Sequence, residues 1–452
     1  MAEMQKVVNT PAPPAGKLGK AELYALGLGQ VIGVGVITLV GPMVAITGKS
    51  TWLAYLIAVI LGFVSLLPYV FLTNTLRFGS GIYSYCASTL DYRVSGMLAI
   101  TFIPTTMGMA SLGTSFGMYF NSLFPAVPAK VAGVAILLIF FLINLGGVNV
   151  MAKVQKYGTW LLIGGLMLFI VAGLFQIKYP AIFDVMADDF MASGSKGFTS
   201  AIATFMYSTV GYSLLMAYGG QAKNAKRDMP WAYLAVFVSL LVLYVGVAIV
   251  ATSTIPLEEF AGQSLVVVAR AILPTPLFIA FIICGPIMAL LTTINASMVY
   301  YQLPFAQSCE DGWLPKTWNI QNKNGVCLPI LIFCVVMGII PQISGISIVA
   351  ITNNLQLMTS CLAFVYFLAF YLLPTKYPGA WKKATMHVPN GVYYAIVTLS
   401  LAVQLYIFYN ACRNLTAKTV IISLIAMVVC MAYGFIRAKS PSVQIKTSTW
   451  EE

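Results

Sequence analysis

The sequence predicts an all-α integral membrane protein with about twelve spanning helices, and three observations predict it. The 452-residue chain is 60% hydrophobic and only 8% charged, with a mean hydropathy of +0.88. The few charges fall between long apolar runs rather than inside them. Lys and Arg then gather on one side of the topology that those runs define. An average soluble domain carries about a quarter charged residues, so most of this chain is built to meet lipid.

A helix needs about 20 apolar residues to cross the hydrocarbon core. Charge-free runs occupy 23–48, 50–76, 94–129, 131–152, 157–177, 197–222, 229–257, 271–309, 324–375, 388–412 and 419–436. The run 324–375 has room for two spans and is interrupted at Pro341-Gln342-Ile343-Ser344-Gly345, so eleven runs give twelve spans. Spans 3 and 8 have the longest single runs, which predicts tilt or extension beyond the bilayer. The tails, 1–20 and 438–452, are polar and expected to lack fixed structure. The first 20 residues hold no apolar core of a cleaved signal peptide, so span 1 is expected to direct insertion.

Orientation follows the bias of Lys and Arg toward the cytoplasmic face. With the N-terminus inside, 18 of the 25 basic residues fall on inner segments, among them Lys17, Lys20, Arg77, Arg93, Lys153, Lys156, Lys223, Lys382 and Arg437. An even number of spans with both termini cytoplasmic follows, in a plasma or inner membrane. The net charge of +12 then reflects the inner face and its attraction to anionic lipid, and calls for no nucleic acid. Of the eight cysteines, Cys284, Cys334, Cys361 and Cys430 sit inside apolar runs, and no metal-type spacing appears. They read as small buried hydrophobes. No cofactor or metal centre is expected, and oligomeric state is not legible.

Span 1, AELYALGLGQVIGVGVITLVGP, holds Gly27, Gly29, Gly33, Gly35 and Gly41 ahead of Pro42. A glycine inside a helix costs up to about 1 kcal/mol relative to alanine, so the density needs a reason. Close helix packing through the Gly29/Gly33 GxxxG step is one. A deliberate break at Gly33-Val34-Gly35-Val36 is the other, with freed amides aimed at an anion and freed carbonyls at a cation. A second interrupted span, FMYSTVGYSLLMAYGG, carries Ser208, Thr209, Gly211 and Gly219-Gly220 and is sixth in order. Spans 1 and 6 head two five-helix halves, and paired interruptions of this kind mark the binding site of a transporter. Lipid offers a broken backbone no hydrogen bonds, so such breaks belong beside a cavity or ligand.

Four stretches, in order and at matching depths, carry a resemblance over nearly the whole chain: IGVGVI at 32–37, FGSGIYSY at 78–85, GGQAKNAKRDMPWA at 219–232 and PFAQSCEDGWLPKTW at 304–318. The chain resembles the amino acid, polyamine and organocation (APC) transporter superfamily, of the amino acid permease type. The resemblance implies a LeuT-like fold of two inverted five-helix repeats plus two extra helices. On this sequence the transporter domain spans 21–437, with repeats at about 21–177 and 197–375 and helices 11 and 12 at 388–437. It further implies alternating access and a substrate held between the unwound parts of spans 1 and 6.

Transferred to matching positions, the resemblance puts backbone amides around Val34, Gly35 and Val36 on a substrate carboxylate, with Gly33 and Gly211 as further members of the substrate-binding stretches. It puts carbonyls near Tyr207, Ser208 and Val210, with one near Ile32, on the amino group. Tyr207 falls where the family often has an aromatic gate; an ordinary packing aromatic is the other reading. Three departures stand out. Val34 replaces the usual serine of the first motif, Ser213 stands where a glutamate is frequent, and no lysine lies in span 5 between Lys156 and Lys178.

None of the apolar runs contains Asp or Glu, and an unpaired cation at membrane depth costs several kcal/mol. The expected substrate is therefore an amino acid with a neutral side chain, with Met206, Tyr207 and Tyr212 as candidates for hydrophobic selectivity. An amine or other amino-acid derivative is the alternative. A sodium site in related folds pairs span 1 carbonyls with span 8 hydroxyls, for which the sequence offers Thr292-Thr293. The same threonines could instead bond back to their own helix, and exchange without an ion stays open.

Asn353-Asn354 could face the pocket or cap a helix, His387 reads as a solvated residue of a basic loop, and Asn414-Leu415-Thr416 is a glycosylation pattern. An embedded enzyme needs convergent catalytic groups at depth, which one histidine and carboxylate-free spans do not provide. A transporter-like sensor would usually carry a soluble extension longer than either tail.

Overall fold

The computed structural model describes residues 7–451 except 13, 15, 210, 346, 347, 414 and 448, with backbone alone at 7, 9, 34, 122, 207, 348–353, 356 and 447. The fold is nearly all helix. Span 1 resolves into α1 (Lys20–Val31), α2 (Val34–Thr38) and α3 (Val40–Thr47). Then come α4 (Thr51–Thr75), α5 (Gly81–Thr89), α6 (Tyr92–Thr105), α7 (Gly108–Leu123), α8 (Ala129–Asn144) and α9 (Val148–Leu174). The sixth apolar run is α10 (Gly194–Tyr207) followed by a 3-10 stretch, Gly211–Gln221. After α11 (Ala225–Ser253), the short α12 (Leu257–Phe260) and α13 (Leu265–Ile272) lead to α14 (Thr275–Ile282). A π-helical turn at Ile283–Ile287, around Pro286, joins α14 to α15 (Met288–Glu310). The chain closes with α16 (Leu328–Ser344), α17 (Ile348–Tyr371), the short α18 (Leu373–Lys376) and α19 (Pro378–Lys383), α20 (Asn390–Arg413) and α21 (Ala417–Arg437).

Eight helical stretches among the described residues are long and apolar enough to cross a membrane, and three shorter apolar helices accompany them. The sequence runs and the helices agree closely, with instructive differences. The long third run bends at Thr106-Met107 into α6 and α7. The fifth span, α9, starts at Val148, ahead of its charge-free run, and carries Lys153 and Lys156 in its first turns; Lys156 pairs with Glu22 of α1 at 3.1 Å. The run 324–375 divides at Gly345, whose φ of 73° ends α16 in the left-handed region that glycine adopts freely.

Polar tails expected to be loose are instead paired at one end of the bundle. β1 (Val7–Asn9) lies parallel to β3 (Ile445–Thr447), and β2 (Arg77–Phe78) runs antiparallel to β4 (Thr449–Trp450). Val443 and Ile445 are fully buried, and the Trp450 indole donates to Thr10 O at 2.9 Å. Val443 and Ile445 bury their side chains while the paired strand edges satisfy the backbone of the tail. The N-terminal and C-terminal segments therefore lie side by side.

All eight cysteines are free thiols, and among the described residues no group of His, Cys, Asp and Glu is arranged to hold a metal. His387 packs edge-on against Trp381, 5.1 Å between ring centroids, in the connection before α20. Asn354 accepts a hydrogen bond from Ser423 of α21. Asn414 of the glycosylation pattern lies outside the described residues.

Candidate functional site

Both interruptions exist, and they touch. Between α1 and α2 the backbone is extended at Ile32 (ψ 98°) and turns through Gly33. Between α10 and the 3-10 stretch the break follows Ser208. A β-carbon on Gly35 would lie 2.1 Å from the Ser208 Cβ, so a side chain at Gly35 would push the breaks apart. The GxxxG step serves packing as well. A β-carbon on Gly29 would meet Gln155, Thr159 and Thr292, and one on Gly33 would meet Thr293. The two readings of the glycine density hold together: the same residues bring neighbours close and release the backbone.

A break at this depth leaves carbonyls at the end of α1 without helical partners, and neighbouring side chains turn toward them. The Thr293 hydroxyl stands 2.9 Å from Gly29 O, 3.0 Å from Ile32 O and 2.9 Å from Ala289 O. One proton cannot serve three acceptors at once. Thr292, like Thr293, bonds back to its own helix, at Met288 O and Ala289 O; what sets Thr293 apart is its reach across to Gly29 O and Ile32 O of span 1. Two neutral α9 side chains, Gln155 and Thr159, donate to Ala25 O of α1. Across the gap, the Tyr244 hydroxyl of α11 donates to Val31 O (3.0 Å) and Ser208 O (3.2 Å).

A cavity of about 340 Å³ lies against both breaks and runs between α4, α6–α7, α15 and α17. Of the residues singled out in the sequence, Gly33, Gly35, Ser208, Gly211, Thr293 and Ser213 line it. Ile32 and Val36 are buried in the core, and α2 begins at Val34, which leaves the amides of Val34, Gly35 and Val36 in a first helical turn. The side chains of Val34 and Tyr207, and the whole of Val210, lie outside the described residues. Met206 and Tyr212 are fully buried and are not among the residues lining the cavity. None of the described residues lining the cavity is Asp, Glu, Lys, Arg or His.

Sequence reasoning missed several lining residues. Gln30 is the clearest: an amide in an apolar span, its Nε2 donating to Ser297 Oγ at 3.0 Å and its buried Oε1 without a partner. Polarity alone could have flagged it. Tyr69, Tyr300, Tyr301 and Tyr366 also line the cavity. With 24 tyrosines in the chain, no sequence signal separates these from the rest.

A buried, uncharged cavity set against two interrupted helices of a multi-pass membrane protein is the arrangement of a small-molecule carrier. The chain belongs to the amino acid permease family, whose profile matches residues 18–445. It is similar to the branched-chain amino acid permease BcaP of Bacillus subtilis, at 25% identity over 54% of this chain and 56% of that protein. It is similar to BcaP of Lactococcus lactis subsp. cremoris, at 23% identity over 92% and 94% of the two chains. It also matches the chloroplastic cationic amino acid transporter 9 of Arabidopsis thaliana, at 22% identity over 67% and 57%. The chain spans little more than half the length of the first and last of these relatives. The family comprises transporters of amino acids rather than enzymes.

Proposed function

We propose that the protein moves an amino acid with a neutral side chain across the cell membrane by alternating access. The observation that carries this reading is the cavity: it abuts backbone polar groups of two breaks and has no charged side chain among its described lining residues. A zwitterion's carboxylate is matched by the amides that open α2, at Val34, Gly35 and Val36, and its ammonium by carbonyls near Ile32, Tyr207, Ser208, Val210 and Gly211. Its side chain then meets neutral groups such as Ser213, Tyr69 and Tyr366. A cationic side chain or a polyamine would lack a counter-charge there. That the relatives include proteins named for branched-chain substrates agrees with this reading. One relative named for cationic substrates makes arginine a necessary competitor in any test.

The reading takes α1–α3, α4, α6–α7, α8, α9, α10 with its 3-10 stretch, α11, α14–α15, α16, α17, α20 and α21 as twelve spans. Two inverted repeats, at about 21–177 and 197–375, begin with the two broken helices. The pairing of β1 with β3 supports an even number of crossings, since both chain ends lie on one side. The basic bias makes that side cytoplasmic. For coupling, a sodium ion fits the oxygens that converge on Thr293: the carbonyls of Gly29, Ile32 and Ala289 and the hydroxyl itself. When bound there it would supply the positive charge that joins the end of α1 to α15. Thr292 would contribute only by turning away from its own helix.

A thermal-shift screen of the detergent-purified protein against the twenty amino acids and common amines, in sodium and in choline, tests this, because a ligand of the folded state raises its stability. Shifts with leucine, isoleucine, valine or another neutral group are expected. Larger shifts with arginine or putrescine than with every neutral amino acid would overturn the neutral-substrate reading.

A further inference from the structure

α1 and α10 end facing one another at the cavity. Each end presents carbonyls carrying the partial negative charge of a helix C-terminus, and two such ends repel unless a donor or a cation lies between them. The donor is Tyr244. Its hydroxyl reaches Val31 O at 3.0 Å and Ser208 O at 3.2 Å, with the residue fully buried. Its ring stands 4.9 Å from Tyr55, which stacks on Phe205 of α10 at 3.9 Å, so the hydroxyl is held by packed aromatics of α4, α10 and α11. Tyr55 itself bonds the Ser208 side chain at 3.0 Å and leaves the carbonyl to Tyr244.

We propose that Tyr244 is a positioning residue that stands in for the substrate's ammonium in the empty transporter, its single hydroxyl proton bridging the two helix breaks until a cation arrives. The inference rests on the reading that the ammonium binds among the carbonyls of the two breaks. With substrate bound, the ammonium brings three donors and a full charge to the Ser208 carbonyl and its neighbours at the two breaks, and the bridge becomes secondary. Without substrate, the bridge is the hydrogen bond that ties the breaks together beside the Gly35–Ser208 contact. A carrier that brings cargo in and returns empty needs that tie on the return; a carrier exchanging cargo for cargo does not.

Two measurements on Tyr244→Phe, which keeps the ring and its stack, test this. The first uses no ligand: hydrogen exchange across residues 28–36 and 205–213 in the full-length protein. Loss of one net hydrogen bond is worth about 0.5–1.5 kcal/mol, or roughly twofold to tenfold. Exchange should speed up by that factor at both breaks together, and Tyr55→Phe should not reproduce the paired effect. Acceleration at one break alone, or at neither, overturns the proposal. The second compares radiolabelled L-leucine uptake into empty proteoliposomes with exchange into leucine-loaded ones. Tyr244→Phe should depress the first by about threefold to tenfold and the second much less. Equal losses in both would show a packing role only and overturn the proposal. If the wild type itself carries no leucine, the neutral-substrate reading has failed, and hydrogen exchange still decides the role of Tyr244.

Discussion

Gly35 and Ser208 hold the two broken helices in direct contact: a β-carbon on Gly35 would lie 2.1 Å from the Ser208 Cβ and 3.1 Å from its Cα. Neither atom is the far end of a flexible side chain, so the clash cannot be relieved by a rotamer change. Overpacking of this kind costs about 1–3 kcal/mol. Gly35→Ala should therefore lower the apparent melting temperature and abolish ligand-induced thermal shifts. Gly35→Ala combined with Ser208→Gly should recover part of the loss, and the coupling between the two changes is read from a double-mutant cycle.

The two adjacent threonines of α15 should separate cleanly. Thr293 faces the carbonyls of Gly29 and Ile32, while Thr292 is spent on its own helix. Thr293→Val leaves a cluster of carbonyls without its hydroxyl and removes one oxygen from the proposed ion site, a change worth about 1–3 kcal/mol. Stability in sodium should fall toward that in choline. Thr292→Val should leave the sodium-dependent difference within about twofold of wild type. Equal stabilities of the wild type in the two salts would remove sodium from this site.

Much of this arrangement was legible because glycine reports its reason locally. Gly33, Gly35 and Gly211 marked the breaks, and the charge-free runs located most helix ends to within a few residues, the junction of α8 and α9 excepted, since a charge at membrane depth is costly. Three things were not legible. The helix α9 extends past Lys153 and Lys156, the second of which pairs with Glu22, distant in sequence. The C-terminal tail docks through Val443 and Ile445, two apolar side chains in a polar stretch too short to show a period. Tyr244 bridges the breaks through a hydroxyl whose partners are backbone atoms 213 and 36 residues away, and composition says nothing of such partners.

Specificity should be convertible at Ser213. This residue lines the cavity where the family resemblance places a frequent glutamate. A carboxylate there would be buried and uncompensated unless the ligand brings a cation, which penalises neutral substrates and favours basic ones. Ser213→Glu should lose the thermal shift given by neutral amino acids and gain one with arginine, lysine or putrescine. No gain with any cation would place Ser213 away from the substrate side chain.

The paired tails predict a pH dependence at the end of the bundle that holds them. Asp311 follows α15 and is fully buried; its carboxylate accepts from the Tyr83 hydroxyl at 2.7 Å and from the backbone amide of Lys446 in β3 at 3.0 Å. Burial dominates and pushes its carboxyl up from 3.8 to about 6, despite those donors. A carboxyl raised on folding binds its proton more tightly in the docked state than when exposed. Its contribution to stability is therefore complete below about pH 4 and is lost as pH rises through about 6. Hydrogen exchange across 443–450 should be slower at pH 5 than at pH 7.5, beyond the intrinsic dependence of exchange chemistry. Asp311→Asn keeps the size and the acceptor but cannot ionise, so it should hold the tail equally at both values. A tail whose protection is the same at pH 5 and pH 7.5 in the wild type would show that Asp311 does not change charge on docking.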